Sequence, residues 1–492
     1  MSDLIVTTAE GDVRGAEGDV RGADGDVRRF LGIPYAAPPR GAERFAAPRP
    51  HEPWTGVRDA RSFGPTAPQP RRDAFGALDM SPYFGPGWVR GDDHLTVNVW
   101  TPRDAERRPV MVFVHGGGFV AGSPRAPLYD GTAFARDGVV LVTVGHRLGV
   151  AGFLDLPGAP RNRGLLDVVA ALRWVRRNIG AFGGDPGNVT LFGQSAGATI
   201  VGGVLAAGEA DGLVRRAIVQ SGSGLGAFNP EQAARVTRAA ATALGVAPTA
   251  AAFADVPDER FVEVVPELGG LDLRTADRFD PLVGLSPFGL VLDRQPARSR
   301  LPDVDLLVGT NAEEGNLYLA PQGNLTSSTA RDVRETASAV HADPDALVAA
   351  YRSRRPDARD GGLRSAILGD ALFGAGSRAL AEAHGNAHVY EFAWRSSAVG
   401  GLLGAAHAVE VPFVFGRLGL SELGGARGLL GPAEPPAALA GEMRAAWLSF
   451  ARSGDPGWPP YRRDRTIRRF DTVSETTAPS RASVWSGAGG GV

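Results

Sequence analysis

The segment Gly193-Gln194-Ser195-Ala196-Gly197 sets a serine between two glycines, directly after the apolar run Asn188–Phe192. A serine hydroxyl is a weak nucleophile until a neighbouring base takes its proton. A sharp strand-to-helix turn presents such a hydroxyl clear of a sheet, and it needs glycine neighbours because larger side chains would clash there. The same turn aims the next backbone N–H, that of Ala196, at the reacting carbon. The pentapeptide alone is a weak signal in a chain with 67 glycines, where roughly 0.4 chance occurrences are expected. Its weight comes from two companions. His115-Gly116-Gly117-Gly118-Phe119 follows a second apolar run, Pro109–Val114. Three consecutive glycines let backbone N–H groups approach a substrate, and with the amide of Ala196 they would form an oxyanion hole. Downstream, Gly309-Thr-Asn-Ala-Glu313-Glu314-Gly315 ends another strand-like run, and His407 lies in Gly404-Ala-Ala-His-Ala-Val-Glu-Val-Pro-Phe-Val-Phe-Gly416. Serine, acid and histidine in that chain order match an acyl-transfer triad on an α/β sheet. Position alone leaves both glutamates as candidates. Of the eight histidines, His115 and His146 lie upstream of the serine, and His51, His94, His341, His384 and His388 have no glycine-rich setting. No H-E-x-x-H cluster is present, so the expectation is metal-free hydrolysis without a cofactor.

The elements that must position these groups alternate. Strand-like runs at 109–114, 138–144, 188–192, 214–220, 304–308 and 387–392 are separated by helical patterns. The clearest helix covers 164–179, where Leu165, Val168, Val169, Leu172, Val175 and Ile179 recur at helical spacing. Continuous apolar strands between helices predict an α/β fold, a large and mostly parallel sheet covered on both faces. The expected organisation is one domain over 1–492, with helical insertions at about 229–300 and 325–385. Near the N-terminus, GDVRGAE (11–17), GDVRGAD (18–24) and GDVRRFL (25–31) are near-copies too glycine-rich for a coiled coil. They predict short strands joined by turns, an extended hairpin over 11–31 or a small meander. The end of the chain, 486–492, reads as a frayed tail.

Composition narrows the function classes. The net charge is −2, and cysteine and lysine are both absent. Disulfides, thiolate ligands, Schiff-base lysines and P-loop lysines are therefore excluded. Nothing marks a nucleic-acid partner, a secretory leader or a membrane span. A cytoplasmic protein, monomeric and acting on a small molecule, is the expectation.

These blocks, with FLGIPYAAPPRGAERF (30–45), DDHLTVNVWTP (92–102), the continuous stretch 162–198, AIVQSGS (217–223) and WLSFARSGDP (447–456), resemble the type-B carboxylesterase/lipase family. That family includes carboxylesterases, cholinesterases, bile-salt-activated lipases and bacterial p-nitrobenzyl esterases. The resemblance runs from about residue 5 to about residue 472 and implies an α/β-hydrolase fold. It implies Ser195 as nucleophile, Glu314 (the acid directly before the glycine) as triad acid, His407 as base, and Gly117, Gly118 and Ala196 as oxyanion donors. It also implies ester hydrolysis through an acyl-enzyme in a bacterial protein. Several positions depart from the family. The disulfide cysteine is replaced by His94, the acidic residue of cholinesterases before the nucleophile by Gln194, and an Asn-Tyr pair by Gly145-His146. Val168 stands where glutamine is usual. Phe119, Gln194, Phe413, Phe415 and Trp88 are candidate pocket residues, and Arg44 is expected to pair with Asp92 or Asp93.

The leading expectation is a carboxylesterase for short- or medium-chain or aryl esters. Carbamates, amides or a lactone would use the same triad. A silent binding protein of the neuroligin kind is the reading from another class, and it requires loss of the serine, which is present.

Overall fold

The computed structural model describes residues 4–18, 26–209, 211–462 and 464–478. One sheet contains Ala16–Glu17 (β1), Val27–Pro34 (β2), Thr96–Pro102 (β3), Arg108–Val114 (β4), Val140–Val144 (β5), Gly184–Gln194 (β6), Arg216–Gln220 (β7), Asp305–Asn311 (β8), His388–Phe392 (β9), Ile467–Phe470 (β10) and Glu475–Thr477 (β11). Their spatial order is β1-β2-β3-β5-β4-β6-β7-β8-β9-β10-β11. From β5 to β10 every neighbouring pair is parallel. The strands at the two ends join antiparallel. The central strands carry continuous apolar runs because both faces are covered there. Val110, Met111, Val112 and Val114 of β4 and Leu306 and Leu307 of β8 are fully buried. Helix Arg163–Asn178 turns Val168, Val169, Leu172, Trp174 and Val175 inward. Helix Ala437–Ser453 sets Trp447 edge-on to Tyr390 of β9, with ring centroids 4.9 Å apart.

A buried ion pair pins the first of these helices to the loop after β5. Arg147 Nη2 lies 2.6 Å from Asp167 Oδ1, and its Nη1 donates to the carbonyls of Arg44 and Ala46. Removing one partner of such a pair strands a charge in the interior. The local departures from the family pattern are absorbed here. Gly145 O accepts from Tyr35 Oη (2.7 Å), His146 stacks on His115 at 4.6 Å, and Val168 sits in the core. Burial keeps these histidines neutral, with His115 pushed down to about 3 and His94 to about 4.

Among the described residues, the N-terminal copies divide between two sheets. Asp12–Arg14, from the first copy, pairs with Ile5–Thr7 and Val57–Asp59 in a separate three-stranded sheet. Ala16–Glu17 folds back on Arg28–Arg29 of β2. The equivalent valines of the first and third copies, Val13 and Val27, are both fully buried, so these two copies each contribute one apolar anchor to a different sheet. The middle of the repeat, 19–25, and the tail 486–492 lie outside the described residues.

Arg44 does not pair with Asp92 or Asp93. It faces Asp258 (3.5 Å) and donates to Val256 O, because its 3-10 turn packs against the first insertion. Asp92 is taken by Arg40 at 2.9 Å and Asp93 by Arg58. That insertion carries helices Pro230–Leu244, Ala250–Ala254 and Asp258–Glu267. The second carries Ala330–Ser338, Pro344–Arg354, Asp360–Gly369 and Ala375–His384, with a π-helical turn at Asp370–Gly374. Val333, Leu347, Tyr351, Leu363 and Ile367 form a small apolar core of their own within it. No helix among the described residues is long and apolar enough to cross a membrane.

Candidate active site

Ser195 occupies the turn between β6 and helix Ala196–Ala206 with φ 58° and ψ −127°, a strained conformation for a non-glycine residue. The turn is held by Ser195 N–H donating to Gln220 O of β7 at 2.9 Å. Gly197 is required by close approach, because a Cβ there would collide with the carbonyl oxygen of Val114.

β8 ends three residues before Glu314, and the loop after β9 brings in His407. His407 Nε2 stands 2.8 Å from Ser195 Oγ, and its Nδ1 stands 2.7 Å from Glu314 Oε2. The carboxylate therefore fixes the tautomer: Nδ1–H donates to Glu314, and Nε2 accepts from the serine hydroxyl. All three side chains are buried. Glu314 is itself oriented by two more donors, Ser221 Oγ at 2.6 Å and the N–H of Asn311 at 2.7 Å, both to Oε1. Glu313 points elsewhere, accepting from Ala405 N–H and pairing with Arg395. The alternative left open by sequence position is thus resolved in favour of Glu314. Phe373, on the π-helical turn, stacks on the imidazole with centroids 4.2 Å apart and planes 9° off parallel.

Gly117 and Gly118 both have positive φ (121° and 63°), which leaves their amides directed away from regular pairing. Among the described residues, no main-chain hydrogen bond takes the N–H of Gly117, Gly118 or Ala196, and all three line the cavity that opens on Ser195. The N-terminus of helix Ala196–Ala206 adds its positive dipole end at the same point. That arrangement can hold an oxyanion beside an activated hydroxyl. The cavity, about 90 Å³, is otherwise mostly apolar, with Phe75, Phe84, Leu282, Leu317, Leu372 and Phe373 among its walls.

Comparison with known proteins agrees with this geometry. The family model described as "Carboxylesterase family" matches residues 2–478. The chain belongs to the carboxylesterase family. It is 34% identical over 484 residues to a para-nitrobenzyl esterase of Bacillus subtilis, covering 94% of this chain and 93% of that one. It is also 34% identical over 452 residues to a phenmedipham hydrolase of Pseudarthrobacter oxydans, covering 88% and 89%. Among solved structures, a carboxylesterase of Geobacillus stearothermophilus superposes with a TM-score of 0.81 at 34% identity, covering 97% of this chain and 98% of that one. The fold of this carboxylesterase-family chain is accordingly the α/β-hydrolase fold.

Of the expected pocket residues, Phe119 lines the cavity. The others do not. Phe413 packs against Phe392 and Trp394, and Phe415 against Phe113, because their one-turn helix Val411–Phe415 faces the sheet. Trp88 lies away from the cavity under the guanidinium of Arg90, 3.9 Å from its ring centroid. Gln194 is fully buried behind the wall, accepting from Tyr83 Oη through Oε1, with its Nε2 3.4 Å from His407 Nε2.

Four residues went unread in the sequence: Ser221, Phe373, Glu410 and Arg72. Ser221 sits in the SGS that follows β7, and its positive φ (50°) turns its hydroxyl toward Glu314. Glu410, three residues after His407, is fully buried and accepts from Asn311 Nδ2 at 2.7 Å. Burial, reinforced by the Glu314 charge, pushes it up to about 7.

Proposed function

We propose that the protein is a serine carboxylesterase acting on short- to medium-chain or aryl esters through an acyl-enzyme formed on Ser195. The single observation that carries this reading is the continuous relay from Ser195 Oγ through His407 to Glu314, with contacts of 2.8 and 2.7 Å. His407 Nε2 takes the hydroxyl proton as Ser195 Oγ bonds to the ester carbonyl carbon. The carbonyl oxygen becomes an oxyanion facing the N–H groups of Gly117, Gly118 and Ala196. Glu314 stabilises the imidazolium across Nδ1. The imidazolium then protonates the departing alkoxide as the C–O bond breaks, leaving the acyl group on Ser195. Water enters, loses a proton to His407, attacks the acyl carbon, and the acid departs as Ser195 Oγ regains its proton.

The small, largely apolar cavity supports substrates with compact acyl or aryl groups. Composition without cysteine supports a reducing, cytoplasmic setting, and the bacterial relatives support a bacterial source. A monomer is the simplest assembly for a site built wholly from one chain. The assembled relay counts against a silent binding protein.

The test is labelling with a p-nitrophenyl alkylphosphonate, followed by kinetics on p-nitrophenyl butyrate. Covalent modification of Ser195 is expected, together with a fall in kcat of roughly a thousandfold or more for Ser195→Ala. A variant as active as the parent protein overturns the reading.

A further inference from the structure

The cavity walls are apolar except at one place. Arg72 enters from the loop before the short hairpin at residues 74–79, and among the described residues it is the one arginine that lines the cavity. Its Nη1 stands 3.7 Å from where a Cβ on Gly118 would lie, beside the loop assigned to the oxyanion. Its guanidinium rests over Phe75 and Phe84, 5.8 and 5.6 Å from their centroids.

What is missing is a carboxylate. Arg72 is half-buried. The fully buried Arg147 is matched by Asp167 and Arg163 by the carbonyls of Val150, Ala151, Leu154 and Pro160, and the half-buried Arg378 by Asp370. The acid next to Arg72 in sequence, Asp73, is held by Arg71 at 2.7 Å. No acidic side chain pairs with Arg72 among the described residues. The titratable groups that face it are the hydroxyls of Tyr83 and Tyr318, and both are held neutral by burial. Arginine cannot relieve the cost of partial desolvation by losing its proton, so the group remains a cation with unused donors. A planar guanidinium in a low-dielectric pocket binds a carboxylate through two parallel N–H···O bonds.

We propose that Arg72 makes this pocket selective for esters that carry a second, free carboxylate a short methylene spacer from the scissile carbonyl. The inference rests on the esterase reading and deepens it. The carboxylate reacts with nothing. It pairs with Arg72 while the ester carbonyl lies between Ser195 and the oxyanion donors, so the ion pair orients the bond to be cut. A carboxylate placed in the acyl half or in the alcohol half offers the same chemistry, and two substrate pairs distinguish them. Monoethyl glutarate against ethyl valerate tests the acyl half. 3-Acetoxypropionate against propyl acetate tests the alcohol half.

In at least one pair the acid ester is expected to show a kcat/KM about tenfold or more above that of its neutral partner, the scale of one charged hydrogen bond. Arg72→Met should reduce that ratio by about tenfold, and Arg72→Lys should recover part of it. Thermal melting and phosphonate titration report whether each variant is folded. Should the methionine variant fail to fold, the parent protein still decides the matter: glutarate should inhibit neutral-ester hydrolysis competitively, and glutaramide should inhibit much more weakly. Neutral esters hydrolysed with no preference for an acid partner in either pair would overturn the role of Arg72 alone. No ester hydrolysed and no label on Ser195 would instead overturn the esterase reading.

Discussion

The relay and the pocket walls are built in opposite ways. Ser195, Glu314 and His407 sit on loops at the ends of parallel strands, and hydrogen bonds fix their donors and acceptors. Glu314 alone accepts from His407 Nδ1, Ser221 Oγ and the N–H of Asn311. The walls come from remote segments: Arg72 to Phe84, Leu282 to Ser286, Leu317 to Tyr318, and Leu372 to Phe373. Rings and aliphatic groups define that surface, and few hydrogen bonds specify which residue must occupy which place. Chemistry that depends on proton position needs the first kind of construction. Selectivity among esters is compatible with the second, because shape in an apolar pocket discriminates by modest factors.

The largest expected effect belongs to the relay. Glu314→Gln keeps the side-chain volume but removes the acceptor that fixes the tautomer and the charge that offsets the imidazolium. Its kcat on p-nitrophenyl butyrate should fall about a thousandfold, measured at matched phosphonate labelling capacity. A loss below about tenfold would erase the contrast between relay and walls.

Phe373→Ala sharpens the same contrast from the other side. It opens the wall beside the imidazole, so kcat/KM for hexanoate relative to acetate esters should rise by roughly tenfold. The fall in kcat on butyrate should stay below that of Glu314→Gln by at least a factor of ten. An acyl-chain profile identical to that of the parent protein would show that this ring does not set chain length.

The smallest effect concerns the boundary between the two regions. Glu410 is buried beside the relay and is raised to about 7 by burial first and by the Glu314 charge second. In the unfolded chain the group ionises near the usual glutamate value, about 4.3. Between these values the native state binds the extra proton, so stability from this group is present at low pH and is lost as pH rises toward 7. Glu410→Gln removes that loss while keeping an oxygen for Asn311 Nδ2. Its melting temperature should exceed that of the parent protein at pH 8 and converge on it near pH 4. An equal gain at both pH values would show that the carboxylate charge is not the cause.

Legibility in the sequence followed how local each constraint was. Ser195 could be read because a strand, two glycines and a helix stand within a few residues of it. His407 could be read from chain order and from its glycine-flanked segment. Glu313 and Glu314 could not be separated by position, because adjacent residues on a loop point in different directions only once the loop is folded. The aromatics of Val411–Phe415 were expected at the pocket because they follow His407 closely, but their helix turns them to the sheet. The heptapeptide copies read as a hairpin or small meander, and the first copy found its partners at 5–7 and 57–59, which no local pattern announces.

By itself the sequence determined the fold class, the family, and the candidate nucleophile and oxyanion loop, because steric rules for a tight turn and the periodicity of buried strands act over short stretches of chain. Only the tertiary structure decided which glutamate meets the imidazole, which ring covers it, and that Arg72 rather than its neighbour Arg71 is left facing the substrate cavity without a carboxylate. These outcomes depend on which distant groups arrive at one point in space, and pairing between distant charges and rings leaves no mark on the residues adjacent in the chain.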